Sequence, residues 1–516
     1  MKSQASALGT LTRGNIFFRD LTASMVVFLV AMPLCMGIAV ASGVPPEKGL
    51  LTGIIGGIIV GAIAGSPLQV SGPAAGLAVI VFELVRQHGL VALGPILLLA
   101  GSFQFIAGVA RLGGWFRAIS PAVVHGMLAG IGVLILIGQF HVLFDDAPKP
   151  SGVDNLVAIP LSFISLFADA SSSVNAFALG VLCIVGMLGW EKFRPKSLRL
   201  VPGALVGVTL ATLVAWGFKF DVIRVNVPES IFSAISWTGV ADITGLISPG
   251  IIATALAIAF IASAETLISA AAVDRMHDGV RTDYDKELRA QGIGNFLCGA
   301  VGALPMTGVI VRSSANIQAG ALTRSSTILH GIWILAFVMG LPWLLREIPM
   351  AALAGVLVVT GWRLVSLEHV RHLYHHYGAM PAVIWATTLV MVVTTDLLTG
   401  VLTGLALSLL ELLPHWRHVK LDVQSERVGD DVSLGLRGRA TFLCLPKLTR
   451  ILDAVPSGGR IRLDIGGLAL LDHTCAEVLT DWLQRKRKAG ARVELVGVSE
   501  AHSHTSYRRL VEAATA

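Results

Sequence analysis

One acidic residue stands inside a long apolar run. Glu265 lies in AIAFIASAETLISAAAV (257–273), with no basic residue within a turn or two. A carboxylate at membrane depth is costly and is by default a functional candidate. Burial disfavours its charged form, so a proton or a cation could be exchanged there. Ser269, four residues on, falls on the same helix face and could share that ligand. The competing reading is a carboxyl hydrogen-bonded to a neighbouring helix as structural glue.

Two interrupted apolar segments offer complementary chemistry. Gln69–Ile80 reads QVSGPAAGLAVI, and Leu304–Gly320 reads LPMTGVIVRSSANIQAG. Unwound backbone at membrane depth survives only where protein buries it or a watery cavity receives it. A short helix starting there aims free N–H groups and its positive end into the membrane interior, ready for an anion. Ala74, Ala75 and Gly76 follow Pro73, which suits a first helical position. Gly308, Val309 and Ile310 offer the same kind of N–H groups at the second break. Arg312 could neutralise an anion there, or pair with Glu265 when the site is empty; snorkelling to an interface is the alternative. Such breaks, paired in two halves of one chain, point to a transporter site near the midplane.

The elements that hold these residues are spans. With 516 residues, 54% of them hydrophobic and 14% charged, and a mean hydropathy of +0.75, the chain is an integral membrane protein in contact with the lipid bilayer. Its 55 glycines and 21 prolines suit tightly packed and broken helices. Apolar segments recur near 21–42, 49–65, 72–86, 90–110, 119–144, 174–190, 199–217, 248–273, 289–303, 308–320, 325–344, 347–362, 380–396 and 398–413, about fourteen in all.

Loop charges give the orientation. If the N-terminus with Lys2, Arg13 and Arg19 is cytoplasmic, loops after even-numbered spans should be basic. Arg111 and Arg117 follow the fourth span, and Lys192, Arg194, Lys196 and Arg199 follow the sixth. Arg275, Arg281, Lys286 and Arg289 follow the eighth, Arg363 and Arg371 the twelfth. The loop after the fifth, with Asp145, Asp146 and Asp154, is acidic and belongs outside. Both termini are therefore expected in the cytoplasm, and the breaks become the third and tenth segments, equivalent places in two halves of seven. Hydropathy thus predicts an inverted repeat, about 20–217 and 248–413.

Beyond about His418 charge density rises. Arg460–Ile465 and Val493–Val498 read as short strands flanking a helix at His473–Ala489, so a small cytoplasmic α/β domain is expected over 417–516, after a cytoplasmic segment 1–19 and a transmembrane domain 20–416. Four of the five cysteines, Cys35, Cys183, Cys298 and Cys444, lie in apolar runs and Cys475 stands alone, so neither disulfides nor a metal site is expected. His125, Gln139, His141 and His330 read as structural or interfacial, Asp396 as solvated, and Arg371–His376 as a basic loop. There is no phosphate-binding GxxxxGK[ST] loop and no nucleophile–base arrangement, so neither an ATP-driven pump nor an enzyme is supported. No cofactor or nucleic-acid partner is expected.

Ordered motifs add a resemblance. Pro33–Val44 (PLCMGIAVASGV), QVSGPAAG at 69–76, KELRAQGIGN at 286–295 and VRSSANIQAG at 311–320 resemble the SulP anion transporters, a group that includes sulfate, bicarbonate and dicarboxylate carriers and the animal relatives pendrin and prestin. The resemblance covers nearly the whole chain. It implies seven plus seven inverted repeats divided into core and gate domains, a cytoplasmic STAS domain and a homodimer in the bacterial inner membrane. It also implies an anion between the third and tenth half-helices, near Ala74, Ala75, Gly308, Val309 and Arg312. In a similar sodium-dependent bicarbonate carrier an aspartate and a threonine on the eighth span help bind sodium; the matching positions here are Glu265 and Ser269, with Ile310 replacing a threonine of the tenth segment. The longer acid and the lost oxygen favour a proton over sodium as the coupling ion. LDIGGLALLDHT (463–474) resembles the STAS pattern, with Asp472, His473 and Thr474 where relatives often carry serine.

The expectation is therefore secondary active transport of a small inorganic anion, bicarbonate or sulfate, by proton-coupled, elevator-type alternating access. The alternatives are an uncoupled anion channel or exchanger, and a dicarboxylate or nucleobase symporter of the same fold.

Overall fold

The computed structural model describes residues 13–497 and 510, apart from 117–119, 150, 169–171, 199, 229, 240–247, 278, 413–420, 429–430, 442–443, 457–459 and 489. Residues 1–12 with Lys2, and also Arg117, Arg199 and Val498 of the sequence reading, lie outside the described residues.

All fourteen apolar segments contain helix. The first seven hold α1 (Arg13–Ala41), α2 (Pro46–Ile55, continued through a π-turn at Gly56–Val60 to Ile63), α3 (Ala78–His88), α4 (Leu93–Val109), α5 (Pro121–Val142), α7 (Ser172–Phe193) and α8 (Gly203–Gly217). The last seven hold α9 (Pro249–Met276), α10 (Tyr284–Ala300), α11 (Ile310–Gln318), α12 (Ser325–Gly340), α13 (Met350–Val365), α15 (Ala379–Thr394) and α16 (Leu397–Leu412). Six of these are long and apolar enough to cross a membrane unaided. The shorter ones lean on neighbours, as expected where helices are broken or tightly packed. Two helices longer than ten residues were not expected: α6 (Gly152–Ala168) and α14 (Leu367–Tyr377). Helix α6 carries Pro160 inside it, which disguised it as a loop, and it exposes Leu156, Val157 and Leu161.

The chain divides into two compact units. The larger comprises Lys2–Gly113 and Ile131–Val365, and the smaller Gly114–Gly130 and Ser366–Ala516. Within the larger unit the two interrupted segments are not merely unwound. Ser71–Pro73 (β1) pairs antiparallel with Met306–Gly308 (β2), in the register Ser71↔Gly308, Gly72↔Thr307 and Pro73↔Met306. Three residues on each side satisfy backbone groups that no water or helix would reach.

The smaller unit contains a four-stranded sheet: β3 (Leu421–Val428), β4 (Asp431–Ala440), β5 (Arg460–Leu471) and β6 (Arg492–Val496), adjacent in that order. The β3–β4 pair is antiparallel; β4–β5 and β5–β6 are parallel. Parallel neighbours need crossovers, which α17 (Leu445–Ala454) and α18 (His473–Lys488) supply. Alternation along β4 and β5 buries Leu434, Leu436, Ile461, Leu463 and Ile465 against Leu448, Leu479 and Trp482. The indole N–H of Trp482 reaches the Leu452 carbonyl at 2.9 Å, so the largest core residue is also satisfied.

Candidate functional site

Each strand of the ladder feeds a half-helix. After β1 the chain passes through a 3-10 turn at Ala75–Leu77 into α3; after β2 it enters α11 at Ile310. Because the strands are antiparallel, the two half-helices leave from opposite ends of the ladder with their N-termini beside it. Pro73 is therefore a strand residue and not a first helical residue, as the sequence had suggested. The first half-helix begins instead at Ala74, whose backbone is extended and whose carbonyl accepts the Leu77 N–H at 3.2 Å.

The amides available to a ligand are also fewer than expected. The Gly308 N–H is donated to Thr266 Oγ1 at 3.1 Å, and the Val309 N–H to the Val70 carbonyl at 2.9 Å. Neither is open to an anion. The first helical bond of α11 runs from Ser313 N–H to the Val309 carbonyl, which leaves the first-turn amides of Ile310, Val311 and Arg312 preceding it. On the other side Ala75 and Gly76 hold the corresponding places.

A ring of polar side chains fixes this backbone. Asn295 of α10 brackets Met306, accepting its N–H at 2.7 Å and donating to its carbonyl at 3.1 Å. Thr52 of α2 both accepts from the Leu304 N–H and donates to its carbonyl, each at 2.9 Å. Ser313 Oγ accepts the Val70 N–H, Asn316 donates to the Leu68 carbonyl, and Gln291 donates to Ser71 Oγ. Gln69 donates to the Thr266 carbonyl at 3.0 Å. Thr266 thus ties α9 to both breaks, through its carbonyl to the first and its hydroxyl to the second. None of these residues was singled out from the sequence. Their signal was a polar residue inside an apolar run, visible at Gln69, Gln291 and Asn295.

Glu265 and Arg312 approach different glycines of the first break, Gly76 and Gly72. A Cβ built on Gly76 would fall 2.6 Å from Glu265 Oε2, so the carboxyl group sits against the first turn of the first half-helix. Oε2 is buried with no hydrogen-bond partner. Ser269, one turn further along α9, is buried as well. Arg312 is fully buried, and a Cβ built on Gly72 would fall 2.2 Å from its Nη1. Cys35 of α1 and His330 of α12 stand close to the guanidinium, yet none of its three nitrogens has a hydrogen-bond partner among the described residues. Two expectations change. Arg312 neither pairs with Glu265 nor snorkels; it lies behind the β1 backbone as an uncompensated positive charge, acting on the ladder through its field.

Three of the remaining candidates make local hydrogen bonds. The His141 ring bonds the Asn155 carbonyl at 3.1 Å, His330 the Thr327 carbonyl at 2.5 Å, and Asp396 caps the start of α16 through the Thr399 N–H and hydroxyl.

The comparisons with known proteins bear on this arrangement. The sulfate permease family model matches residues 17–388. The chain belongs to the sulfate permease family. A second model, for a STAS domain of the Mlab type, matches 423–511, the region of the four-stranded sheet. Among curated relatives of this sulfate permease family member, the putative sulfate transporter YvdB of Bacillus subtilis is 31% identical over 405 residues, 76% of this chain and 73% of that one. The bicarbonate transporter BicA of Synechocystis is 25% identical over 513 residues, 93% and 88% of the two chains. The transmembrane domain of a cyanobacterium BicA superposes with a TM-score of 0.65 at 23% identity, over 76% of this chain and 98% of that chain. The overall structure of SLC26A9 gives 0.67 at 14% identity, over 98% and 88%. At these identities the two structures show a shared fold.

Proposed function

We propose that this protein is a secondary active transporter that moves a small inorganic anion, bicarbonate or sulfate, across the bacterial inner membrane. The observation that carries the reading is the ladder: a half-helix N-terminus flanks each of its ends, with the buried, uncompensated Arg312 guanidinium beside it. Dipole ends and a cation together favour an anion. The first-turn amides of the second half-helix that lie outside its helical bonds, at Ile310, Val311 and Arg312, with Ala75 and Gly76 of the first, are its ligands in this reading. Ala74 borders them, and Gly308 and Val309 shape the cradle with their amides already engaged. The curated names of the relatives, sulfate and bicarbonate transporters, support the same substrate class.

Glu265 is the proposed coupling site, with Ser269 beside it. A carboxyl group against the first turn of a half-helix can trade its proton as the anion enters and leaves. A pure anion pore gains nothing from that acid, which favours coupled transport over a channel. The coupling ion in this reading is a proton; movement is elevator-like, the chain is a homodimer with cytoplasmic termini, and the STAS domain tunes transport or trafficking.

The test is uptake into proteoliposomes containing the full chain. Labelled bicarbonate, sulfate, chloride and a dicarboxylate are offered, with pH and sodium gradients imposed separately. Accumulation of bicarbonate or sulfate driven by the pH gradient alone is expected. Equal uptake with and without either gradient would replace this reading by an uncoupled exchanger or channel.

A further inference from the structure

A cavity of about 370 Å³ runs along α11, from Val311 in its first turn to Gln318 and Ala319 at its end. Helices α1, α7, α8 and α13 supply its other walls, which are mostly apolar. The charged lining residues are Glu191 in the last turn of α7, Arg194 just beyond its end and Arg363 in the last turn of α13. Those ends lie, by loop charge, on the cytoplasmic side. The first turn of α11 is thus reached along that helix from a mouth that carries two arginines and one glutamate.

Arg363 and Glu191 form an ion pair across two helices through Nη2 and Oε2. Both side chains stay partly exposed, at 45% and 30%, so an entering anion can reach the guanidinium. A Cβ built on Gly203 would lie 3.0 Å from Glu191 Oε1, which places the carboxylate at the start of α8, the third wall of the mouth. At about 30 Å³ per water, the cavity admits an oxyanion with a shell of several waters. Low-dielectric walls that carry basic side chains concentrate anions before they bind. Basic residues at helix C-termini also offset the helix dipole, but that role would act on stability and not on one face of transport.

We propose that Arg194 and Arg363 form a recruitment site for small oxyanions at the cytoplasmic mouth of this cavity, with Glu191 competing with the anion for Arg363. The site rests on the transport reading above and sets apparent affinity from the cytoplasmic side only. Charge removal at Arg194 or Arg363 weakens capture there; charge removal at Glu191 frees Arg363 and strengthens it.

The test uses inside-out and right-side-out membrane vesicles bearing the full chain, with labelled sulfate and labelled bicarbonate as probes. In Arg194→Gln/Arg363→Gln the half-saturation concentration at the cytoplasmic face should rise about tenfold at low salt. The effect should shrink as ionic strength rises, while the external face is unmoved. Glu191→Gln should shift the cytoplasmic value the opposite way, and it keeps the test open if the double variant does not insert. Equal shifts at both faces, or an unmoved cytoplasmic face in Glu191→Gln and Arg194→Gln, would overturn the recruitment site. Absence of transport in wild-type vesicles would instead overturn the transport reading beneath it.

Discussion

The backbone of Gly72 lies so close to Arg312 that a Cβ on the glycine would fall 2.2 Å from Nη1. The close approach brings a full positive charge to the back of the strand ladder without exposing it. Gly72→Ala must therefore push the guanidinium aside or bend β1. Overpacking of this kind costs about 1–3 kcal/mol, to be seen as a lower melting temperature in detergent, together with weakened anion binding.

Arg312 itself separates stability from function. A buried charge without a partner pays desolvation and recovers it only when an anion arrives. Arg312→Met should leave the unliganded protein about 1–4 kcal/mol more stable while weakening anion binding by about 2 kcal/mol, the Coulomb energy at roughly 8 Å in an effective dielectric near 20. Thermal melts with and without sulfate or bicarbonate would read both. A variant that loses stability and keeps affinity would place Arg312 in a purely structural role.

Glu265→Gln removes the proton that the proposed coupling exchanges and keeps the size of the side chain. Proton-driven accumulation should disappear, whereas counterflow of labelled against unlabelled anion should persist. Accumulation under a pH gradient equal to wild type would remove Glu265 from coupling.

Thr266→Val should orphan the Gly308 N–H, a loss of about 1–3 kcal/mol, and release α9 from the second break. Thr266→Ser restores the hydroxyl and should rescue both melting temperature and transport. Loss in valine without rescue in serine would assign the effect to packing of the methyl group.

Much of this was legible in the sequence. Fourteen apolar runs, their alternating loop charge and the breaks at Gly72–Pro73 and Thr307–Gly308 needed only local composition, and the strand–helix–strand order after Arg460 needed only periodicity. The pairing of β1 with β2 did not, because it joins residues more than two hundred positions apart. For the same reason the sequence offered Gly308 and Val309 as free amides: their acceptors, Thr266 and Val70, are contributed by other segments. Arg312 was readable as a charge near the break, but its direction was not. On a helix of nine residues the side chain leaves for whichever neighbour makes room, and Gly72 makes that room. Helix α6 was overlooked because Pro160 and an acidic approach resemble a loop.

The antiparallel ladder centred on Gly72 and Thr307 has a directional consequence. A local two-fold axis through that central pair exchanges the two strands, so the two breaks run into the ladder from opposite ends in the same way. Arg312 and Glu265 break the likeness, since both belong to the second half of the chain. For a carrier this means that the binding geometry contains no arrow. In the proposed transport cycle, the direction of flow would then rest with Glu265 on α9 and with the imposed gradient.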